Sequence, residues 1–314
     1  MKKLKNQFLE VSDALGLGNP AIIEKDYWVV ALLAELAKLD FDTHQMVFSG
    51  GTALAKSNVK ILRMSEDVDI KLIPTDAFNS FGRDKRKAKR KALVQQIEES
   101  LTHQSSYFSI EEKIVRDEYR YVEYELKYPQ QFSQVPCLRP IIKLELMETI
   151  PLLQVEQRSI QSLVAELYHQ PQEVNEFACI SVQSTLVEKV ISMLRRTMLV
   201  KRDSERKDDA TLVRHIYDIH CIDADQQLDF EALMPLFQTV LQEDVKRFGN
   251  QHPEFVANPI QELQLGLQKL EPNPMFPQRF ADFVTPMVFN TETPDFDTCF
   301  ASFKRIAQSL MNNN

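Results

Sequence analysis

The sequence predicts an α/β (α+β) fold, with an N-terminal domain in which helices flank a mixed sheet and a mainly helical C-terminal domain. The chain has 314 residues, enough for about two domains at roughly 150 residues each. Short alternating apolar runs, typical of strands, occur up to about residue 180, and longer runs with helical spacing dominate after it. The scarcity of glycine, 7 residues in all, also suits a helix-rich protein. We therefore place the domains at 1–180 and 181–314.

The composition excludes several classes of protein. Hydrophobic residues make up 44% of the chain and charged residues 26%, which rules out a disordered chain, a coiled-coil rod and a collagen. No apolar run reaches the ~18 residues that a membrane span needs, and charges interrupt the N-terminal apolar stretch, unlike a signal peptide. We therefore expect a cytoplasmic protein with no membrane partner. The net charge of -8 argues against nucleic-acid binding over the whole surface, although it allows a local basic patch.

The first domain is predicted to open with two helices, because apolar residues recur at helical spacing over 1–15 and fill most of 21–39. The apolar run Met46–Phe48 then leads into Ser49–Gly51 and a segment of helix formers, which predicts a strand, a tight turn and a helix. Residues 67–73 alternate between polar and apolar and stop at a proline, as a strand does.

The later elements follow from the same patterns. In the first domain we predict a basic helix at 82–103, antiparallel strands at 108–115 and 119–128, a strand at 140–147, a helix at 159–168 and a short strand at 177–182. In the second domain we predict helices at 184–200, 207–221, 229–247 and 296–311. Eight of the 15 prolines lie at or beyond Pro235, and they predict an extended, irregular segment at 271–294.

Two aspartates mark the strand at 67–73 as a candidate site. Asp67 and Asp69 are two residues apart, so both carboxylates leave the same face of a strand. At ~6 Å and an effective dielectric constant near 20, two such charges repel by roughly 3 kcal/mol, which a bound cation would relieve. Oxygen ligands of this kind suit Mg²⁺ bridging to a substrate phosphate. The alternative is a solvent-facing edge strand with alternating charges.

A third carboxylate, Glu145, is predicted to project from a second strand. Carboxylates on neighbouring strands can hold two metal ions about 4 Å apart, which stabilise both the attacking and the leaving oxygens. The alternative for Glu145 is an ion pair with Lys143 or Lys71. The residues alone leave both readings open.

The segments GGTALAK, from Gly50, and RMSEDVDIKL, from Arg63, resemble the AbiEii/AbiGii toxin family of nucleotidyltransferases. That family belongs to the polymerase-β-like superfamily, whose signature is Gly-Gly or Gly-Ser after an apolar residue, then D-x-[D/E] on the next strand. Further similar segments are EKDYW from Glu24, LVEK ending at Lys189, and RHIYD ending at Asp218, within a resemblance that runs from about residue 20 to 222. The family often has an aspartate at the position that His215 occupies here, so the last motif departs from the pattern.

The resemblance implies a Mg²⁺-dependent nucleotidyltransferase, with two ions, that transfers NMP from an NTP to an acceptor. In some relatives the acceptor is tRNA. The protein would be the toxin of a toxin–antitoxin or abortive-infection (phage-defence) pair, with a separate antitoxin protein as partner. One alternative is a related transferase that acts on protein or on a small molecule. Another is a nucleotide-binding regulator that keeps the fold but has no catalytic activity.

The resemblance also implies the roles of particular residues. The metal ligands would be Asp67, Asp69 and Glu145, and the triphosphate would lie against Ser49, Gly50, Gly51 and Thr52, where bare glycines at a helix N-terminus let a phosphate approach. Lys56 and Lys189 would reach the triphosphate in a cleft between the domains, and Lys189 and Asp218 would join the three carboxylates in the catalytic group. The alternatives are a surface lysine for Lys189 and an i, i+4 salt bridge with Arg214 for Asp218.

A basic run stands out in this acidic chain: Lys85, Arg86, Lys87, Lys89, Arg90 and Lys91. On a helix it would be basic nearly all round. We interpret it as a candidate grip on the phosphate backbone of an RNA acceptor. The alternative is a solvated helix face with no partner.

Overall fold

The computed structural model describes residues 2–104, 107–133, 138–149, 154–203, 205–271, 273–289 and 293–312. The chain forms two compact units. The first comprises Met1–Ser57, Met64–Pro151 and Val155–Ile180, and the second consists mainly of Ser181–Asn314 with the short segment Asn58–Arg63. The segment Asn58–Arg63, between the glycine turn and the aspartate strand, therefore belongs to the second unit although it precedes most of the first.

The first unit is built on one seven-stranded mixed sheet. Its elements are α1 (Lys2–Ala14), α2 (Ala21–Leu36), β1 (His44–Ser49), α3 (Gly50–Ala55), β2 (Asp67–Pro74), α4 (Asp76–Asn79), α5 (Arg83–Glu99), β3 (Ser109–Arg116), β4 (Tyr121–Lys127), β5 (Ile142–Glu148), β6 (Val155–Ile160), α6 (Leu163–Leu167) and β7 (Val174–Ile180). The strand order is β3-β4-β5-β2-β1-β7-β6. β2 pairs with β5 and β1 with β7 in parallel, and the other neighbours are antiparallel. The predicted mixed sheet with flanking helices is confirmed.

The core of the first unit lies on one face of this sheet. Alternation along β2, β4 and β5 points nine apolar side chains to that face: Val68, Ile70, Leu72, Val122, Tyr124, Leu126, Ile142, Leu144 and Leu146. The apolar helix α2 and the C-terminal half of α5 belong to the same core. Each such buried side chain contributes about 1.5–3 kcal/mol. The residues between them, the two aspartates included, therefore lie on the opposite face.

The sequence analysis did not predict one strand of the sheet. β6, with the sequence VEQRSI, is an edge strand paired with β7 on one side only. Most of its residues are exposed or half-buried, so it lacks the apolar alternation that reveals a strand. The helix predicted at 159–168 is correspondingly short, Leu163–Leu167, and begins where the side chain of Ser162 accepts a hydrogen bond from the N–H of Ala165.

The second unit is helical in its described residues, as predicted. Its helices are α7 (Val182–Arg202), α8 (Arg214–Asp225), α9 (Phe230–Phe248), α10 (Pro253–Ala257), α11 (Pro259–Leu270), α12 (Met275–Phe283) and α13 (Phe296–Asn312). The prediction of an irregular segment at 271–294 is wrong over α12. Pro277 lies in the first turn of that helix, where a missing N–H costs nothing, and Phe276 and Phe280 are buried one turn apart. Within the described ranges, no helix is long and apolar enough to cross a membrane.

Candidate active site

Strand pairing brings the three predicted metal ligands to one face of the sheet. Asp67 and Asp69 lie at the start of β2, both half-buried. The parallel register with β5 places Asp69 beside Glu145, and the antiparallel register with β1 places it beside Ser49. The aspartates therefore lie next to the glycine turn that ends β1, in the predicted arrangement of strand, tight turn and helix.

Gly50 makes room for the Asp69 carboxylate. Its φ is +77°, in the left-handed region that costs other residues about 1–2 kcal/mol. A Cβ added to Gly50 would lie 1.9 Å from Oδ2 of Asp69, which no packing tolerates. The backbone must therefore be bare here to accommodate the Asp69 carboxylate, a reason that the sequence analysis did not foresee. The predicted contact of Gly50 with a triphosphate stays a prediction.

We expect the Gly50→Ala substitution to impair metal binding and nucleotidyl transfer by about 100-fold or more, because the new methyl group must displace the Asp69 carboxylate. Binding of Mn²⁺, measured by titration, and transfer of labelled nucleotide are the measurements. Gly16→Ala is the matched control, since Gly16 has a φ of +67° but no atom within 4 Å of its added Cβ. Equal activity in the two variants would contradict the role of Gly50.

Two hydroxyl groups fix the main chain of the aspartate strand. Ser49 Oγ donates to the carbonyl of Asp69 at 3.1 Å. Thr52 Oγ1 donates to the carbonyl of Asp67 and lies 2.9 Å from Oγ of Ser65. Both Ser49 and Thr52 are buried, so each hydroxyl holds one aspartate in place from the glycine turn. Their predicted contacts with a triphosphate stay predictions.

The charged face extends to a residue that the sequence analysis missed. Glu145 lies beside Glu123 of β4, and Lys143 Nζ bridges them at 2.5 Å and 3.0 Å. The alternative for Glu145, an ion pair with Lys143, is therefore present. Burial tends to raise the pKa of Glu123, but hydrogen bonds from Tyr121 and Lys143 outweigh it and hold that pKa below its ordinary value. The alternation in YVEYELK was the signal that placed Glu123 opposite the core.

Among the described residues, no three His, Cys, Asp or Glu side chains are gathered closely enough to hold a metal ion as they stand. Cations occupy two of the carboxylates: Arg139 Nη1 lies 2.7 Å from Asp67 Oδ1, and Lys143 lies against Glu145. The donor set nevertheless fits a hard divalent cation, since it consists of carboxylate oxygens on adjacent strands. The bare backbone of Gly50 leaves room for one of these groups, the Asp69 carboxylate.

A buried ion pair lies next to Asp67. Lys25 of α2 and Glu66 are 2.6 Å apart and their side chains are almost fully buried. Burial lowers the pKa of Lys25, and the Glu66 carboxylate opposes that effect. Both groups also bind the main chain of Arg139. Lys25 Nζ donates to the Arg139 carbonyl at 2.6 Å, and the Arg139 N–H donates to Glu66 at 2.9 Å. The segment that carries Arg139 is therefore fixed beside the aspartates.

The neighbours of Lys25 on α2 anchor two further segments. The carboxylate of Glu24, also buried, accepts the N–H groups of residues 131–132 at 2.8 Å and 3.2 Å. Asp26 accepts the N–H of Leu163 at 2.7 Å and pairs with Lys56 Nζ at 2.5 Å. The EKD part of the EKDYW motif thus organises the loops of the first unit. The ammonium of Lys56 is engaged in that network, and its predicted contact with a triphosphate stays a prediction.

In the second unit, Asp218 is the centre of a buried charge cluster. Its carboxylate binds Arg63 Nε and Nη2 at 2.6 Å and 2.7 Å, and Lys189 Nζ at 2.9 Å. Burial alone would raise the pKa of Asp218, but Arg63 and Lys189 outweigh it and hold the pKa well below its ordinary value. Lys189 is buried, so the alternative of a surface lysine is wrong. The pair with Arg214 does not account for Asp218, whose partners lie on other elements.

Arg63, the first residue of the segment RMSEDVDIKL, is one of the two cations of this cluster, a role that the sequence left unassigned. Burial, followed by the charge of Lys189, holds the pKa of His215 well below its ordinary value. A neutral imidazole therefore stands at this position beside the cluster at pH 7.

Comparison with known families decides the identity of the fold and its chemistry. The model of the nucleotidyl transferase AbiEii toxin, of type IV toxin–antitoxin systems, matches residues 31–302. The chain belongs to the AbiEii family. AbiEii membership confirms the resemblance drawn from GGTALAK and RMSEDVDIKL, and it makes the protein a nucleotidyltransferase of the toxin class. It also implies an NTP as substrate and an antitoxin as partner.

A solved structure supports the AbiEii fold independently. MenT4, a nucleotidyltransferase toxin from Mycobacterium tuberculosis H37Rv, superposes with a TM-score of 0.58 at 16% sequence identity, over 96% of this chain and 89% of its own. At that identity the likeness concerns the fold alone. A search of curated proteins gave no significant match.

The basic run of this AbiEii-family chain divides into a structural and an exposed part. Arg90 is buried and binds Glu148 through two hydrogen bonds of 2.5 Å and 2.9 Å. Burial tends to raise the pKa of Glu148, but His44 and Arg90 together lower it to about 2. The helix is therefore not basic all round, since α5 buries Arg90 along with its apolar residues. Lys85, Lys87 and Lys91 are exposed.

Proposed function

We propose that this AbiEii-family protein is a Mg²⁺-dependent toxin that transfers NMP from an NTP to an RNA acceptor, with tRNA as the leading candidate. The acceptor hydroxyl would attack the α-phosphorus and pyrophosphate would leave. The observation that carries the proposal is the register that sets Asp69 beside Glu145, with Asp67 on the same face and Gly50 against the Asp69 carboxylate. This arrangement supports metal-assisted chemistry at the start of β2.

Each residue of the sheet face has a distinct role in this proposal. Asp67, Asp69 and Glu145 would hold the metal, with two ions expected, and the metal would neutralise charge on the phosphates. Nucleotidyl transfer requires positioning and charge neutralisation more than covalent chemistry by the protein. The Ser49 and Thr52 hydroxyls supply the positioning, because they fix the main chain of both aspartates.

Asp218 is proposed as a positioning residue. Both of its oxygens are bound by Arg63 and Lys189 in the interior of the second unit, so its carboxylate acts through these two cations. Lys189 is proposed to contribute its positive charge to the reaction. The low pKa of Asp218 keeps the cluster charged throughout the physiological range of pH.

A labelling experiment tests the proposed function. The protein is incubated with each of the four α-³²P-labelled NTPs, total RNA and total protein, with Mg²⁺ or with EDTA. We expect label in RNA, in the tRNA size range, only with Mg²⁺ and not with an Asp69→Asn variant. Label in protein or in a small molecule would favour the other transferases, and NTP binding without any transfer would favour the regulator.

The exposed part of the basic run, Lys85, Lys87 and Lys91, is proposed to bind the RNA backbone. We expect the triple substitution to serine to weaken RNA binding and to reduce the slope of log affinity against log salt by about one unit per lost phosphate contact. Filter binding across a salt series measures both quantities. Arg90 is left unchanged, because its removal would leave the half-buried Glu148 carboxylate without its main cationic partner.

The matched control removes three lysines from another exposed helix of the same unit: Lys2, Lys3 and Lys5. It changes the net charge equally, so a general electrostatic effect would appear in both variants. An unchanged salt slope in the Lys85, Lys87 and Lys91 variant, or an equal change in the two, would remove the basic run from the mechanism.

A further inference from the structure

The guanidinium of Arg139 lies on one of the proposed metal ligands. Its Nη1 is 2.7 Å from Oδ1 of Asp67, and the two side chains are 42% and 31% exposed. Neither the paired aspartates nor the glycine turn predicts this contact, because Arg139 and Asp67 are 72 residues apart in the chain. An ion pair at this exposure contributes little to stability, so stability alone is a weak reason for it.

The main chain of Arg139 is held by buried groups, whereas its side chain is 42% exposed. The carbonyl and the N–H are bound by Lys25 and Glu66, which form an almost fully buried ion pair. The Cα is therefore fixed beside the start of β2, whereas the side chain extends into the solvent-accessible face. A fixed base with an accessible tip allows the guanidinium to change partner without any movement of the backbone.

The partner change follows from the charges. A divalent cation that binds Asp67 competes with the guanidinium for the same carboxylate oxygen. Once released, the guanidinium remains near the metal and near the anionic group that the metal carries. A guanidinium presents a planar fork of N–H donors that matches phosphate oxygens, and such charge-assisted bonds are among the strong ones.

We propose that Arg139 is a further substrate-binding residue: it pairs with Asp67 in the metal-free protein and binds the phosphate chain of the metal-bound NTP. The inference rests on the proposed function, since it requires a metal at Asp67 and an NTP beside it. It assigns Arg139 two opposing effects, one on each ligand. Arg139 weakens binding of the metal alone and strengthens binding of the NTP with its metal.

The opposite effects of Arg139 on metal affinity and on NTP affinity provide the test. We expect Arg139→Gln to bind Mn²⁺ alone several-fold more tightly than wild type, measured by titration with detection of free Mn²⁺ by electron paramagnetic resonance. The same variant should bind the α,β-methylene analogues of the NTPs, in the presence of Mg²⁺, about 10- to 100-fold more weakly. Arg139→Lys keeps the charge but loses the planar fork of donors, so both of its affinities should lie between those of the wild type and Arg139→Gln. All these readouts are independent of catalysis.

The matched control is Arg120→Gln. Arg120 is also 42% exposed and forms ion pairs with the exposed Asp117 and the half-buried Glu148 in the same unit. It should change neither affinity. Lys25 and Glu66 bind only the main chain of Arg139 in the contacts described above, so the variants should fold normally, which a thermal melt verifies.

Each outcome decides the inference. Tighter Mn²⁺ binding with unchanged NTP binding would make Arg139 a counter-ion only, and unchanged binding of both would make it a surface ion pair; either result overturns the inference and leaves the proposed function standing. Failure of the wild-type protein to bind Mn²⁺ and NTP would overturn both. Weaker NTP binding in Arg139→Gln together with tighter Mn²⁺ binding supports it.

Discussion

Replacing Asp69 by asparagine is expected to lower nucleotidyl transfer by at least about 1,000-fold while thermal stability stays near that of the wild type. Asparagine keeps the size that the space beside Gly50 accommodates, but it removes the negative charge that a metal requires. Loss of metal-dependent stabilisation amounts to several kcal/mol, and each 1.36 kcal/mol is a factor of ten in rate. Asp67→Asn is expected to have an effect of the same order.

The transfer assay with labelled NTP measures this loss, and a thermal melt shows whether the fold persists. The matched control is Glu125→Gln, which removes a carboxylate from the same face of the sheet, on β4 opposite Lys143. We expect it to retain most of the activity. Wild-type transfer by Asp69→Asn would disprove the metal assignment, whereas equal losses in both variants would show a general effect of charge on the face.

Asp218→Ala is expected to destabilise the second unit by about 3–5 kcal/mol, because Arg63 and Lys189 would remain buried without their shared counter-ion. Urea unfolding followed by circular dichroism at 222 nm reports mainly on the helices of this unit. Trp28, the only tryptophan, lies in the core of the first unit, so its fluorescence follows that unit separately. The circular dichroism transition should move to lower urea concentration.

Two further variants separate a structural role from a functional one. Asp244→Ala breaks the ion pair with Arg195, but the Asp244 side chain is 20% exposed, so a smaller loss of stability is expected. Replacing Arg63 and Lys189 by methionine together with Asp218→Leu removes every charge of the cluster. It should recover much of the stability and none of the activity. Recovery of activity as well would show that the cluster serves only the fold.

The fold and the common sheet face of the three carboxylates were predictable where local sequence carries the signal. Alternation fixed the faces of β2 and β5, so the shared face of Asp67, Asp69 and Glu145 could be inferred. The strand β6 could not be predicted, because an exposed edge strand has little apolar alternation. The second unit was predicted as helical, but prolines were read as breaks where one of them lies in the first turn of α12.

The counter-ions of the site were not predictable. Arg139 lies 72 residues from Asp67, and Arg63 lies 155 residues from Asp218. No periodic pattern links residues so far apart, and a single sequence does not pair charges through space. These contacts therefore became visible only with the structure, even though the motifs that contain Arg63, Asp67 and Asp218 had been noticed.

The three consecutive charges of α2 also constrain the order in which the first unit can form. Asp26 is synthesised early, yet one of its partners, Leu163, follows 137 residues later. At roughly 5–20 residues per second on the ribosome, that interval lasts about 7 to 27 seconds. Until then the Asp26 carboxylate lacks the N–H of Leu163, so α2 cannot complete its set of contacts in the first unit. A fragment that stops short of Leu163 would keep that defect permanently.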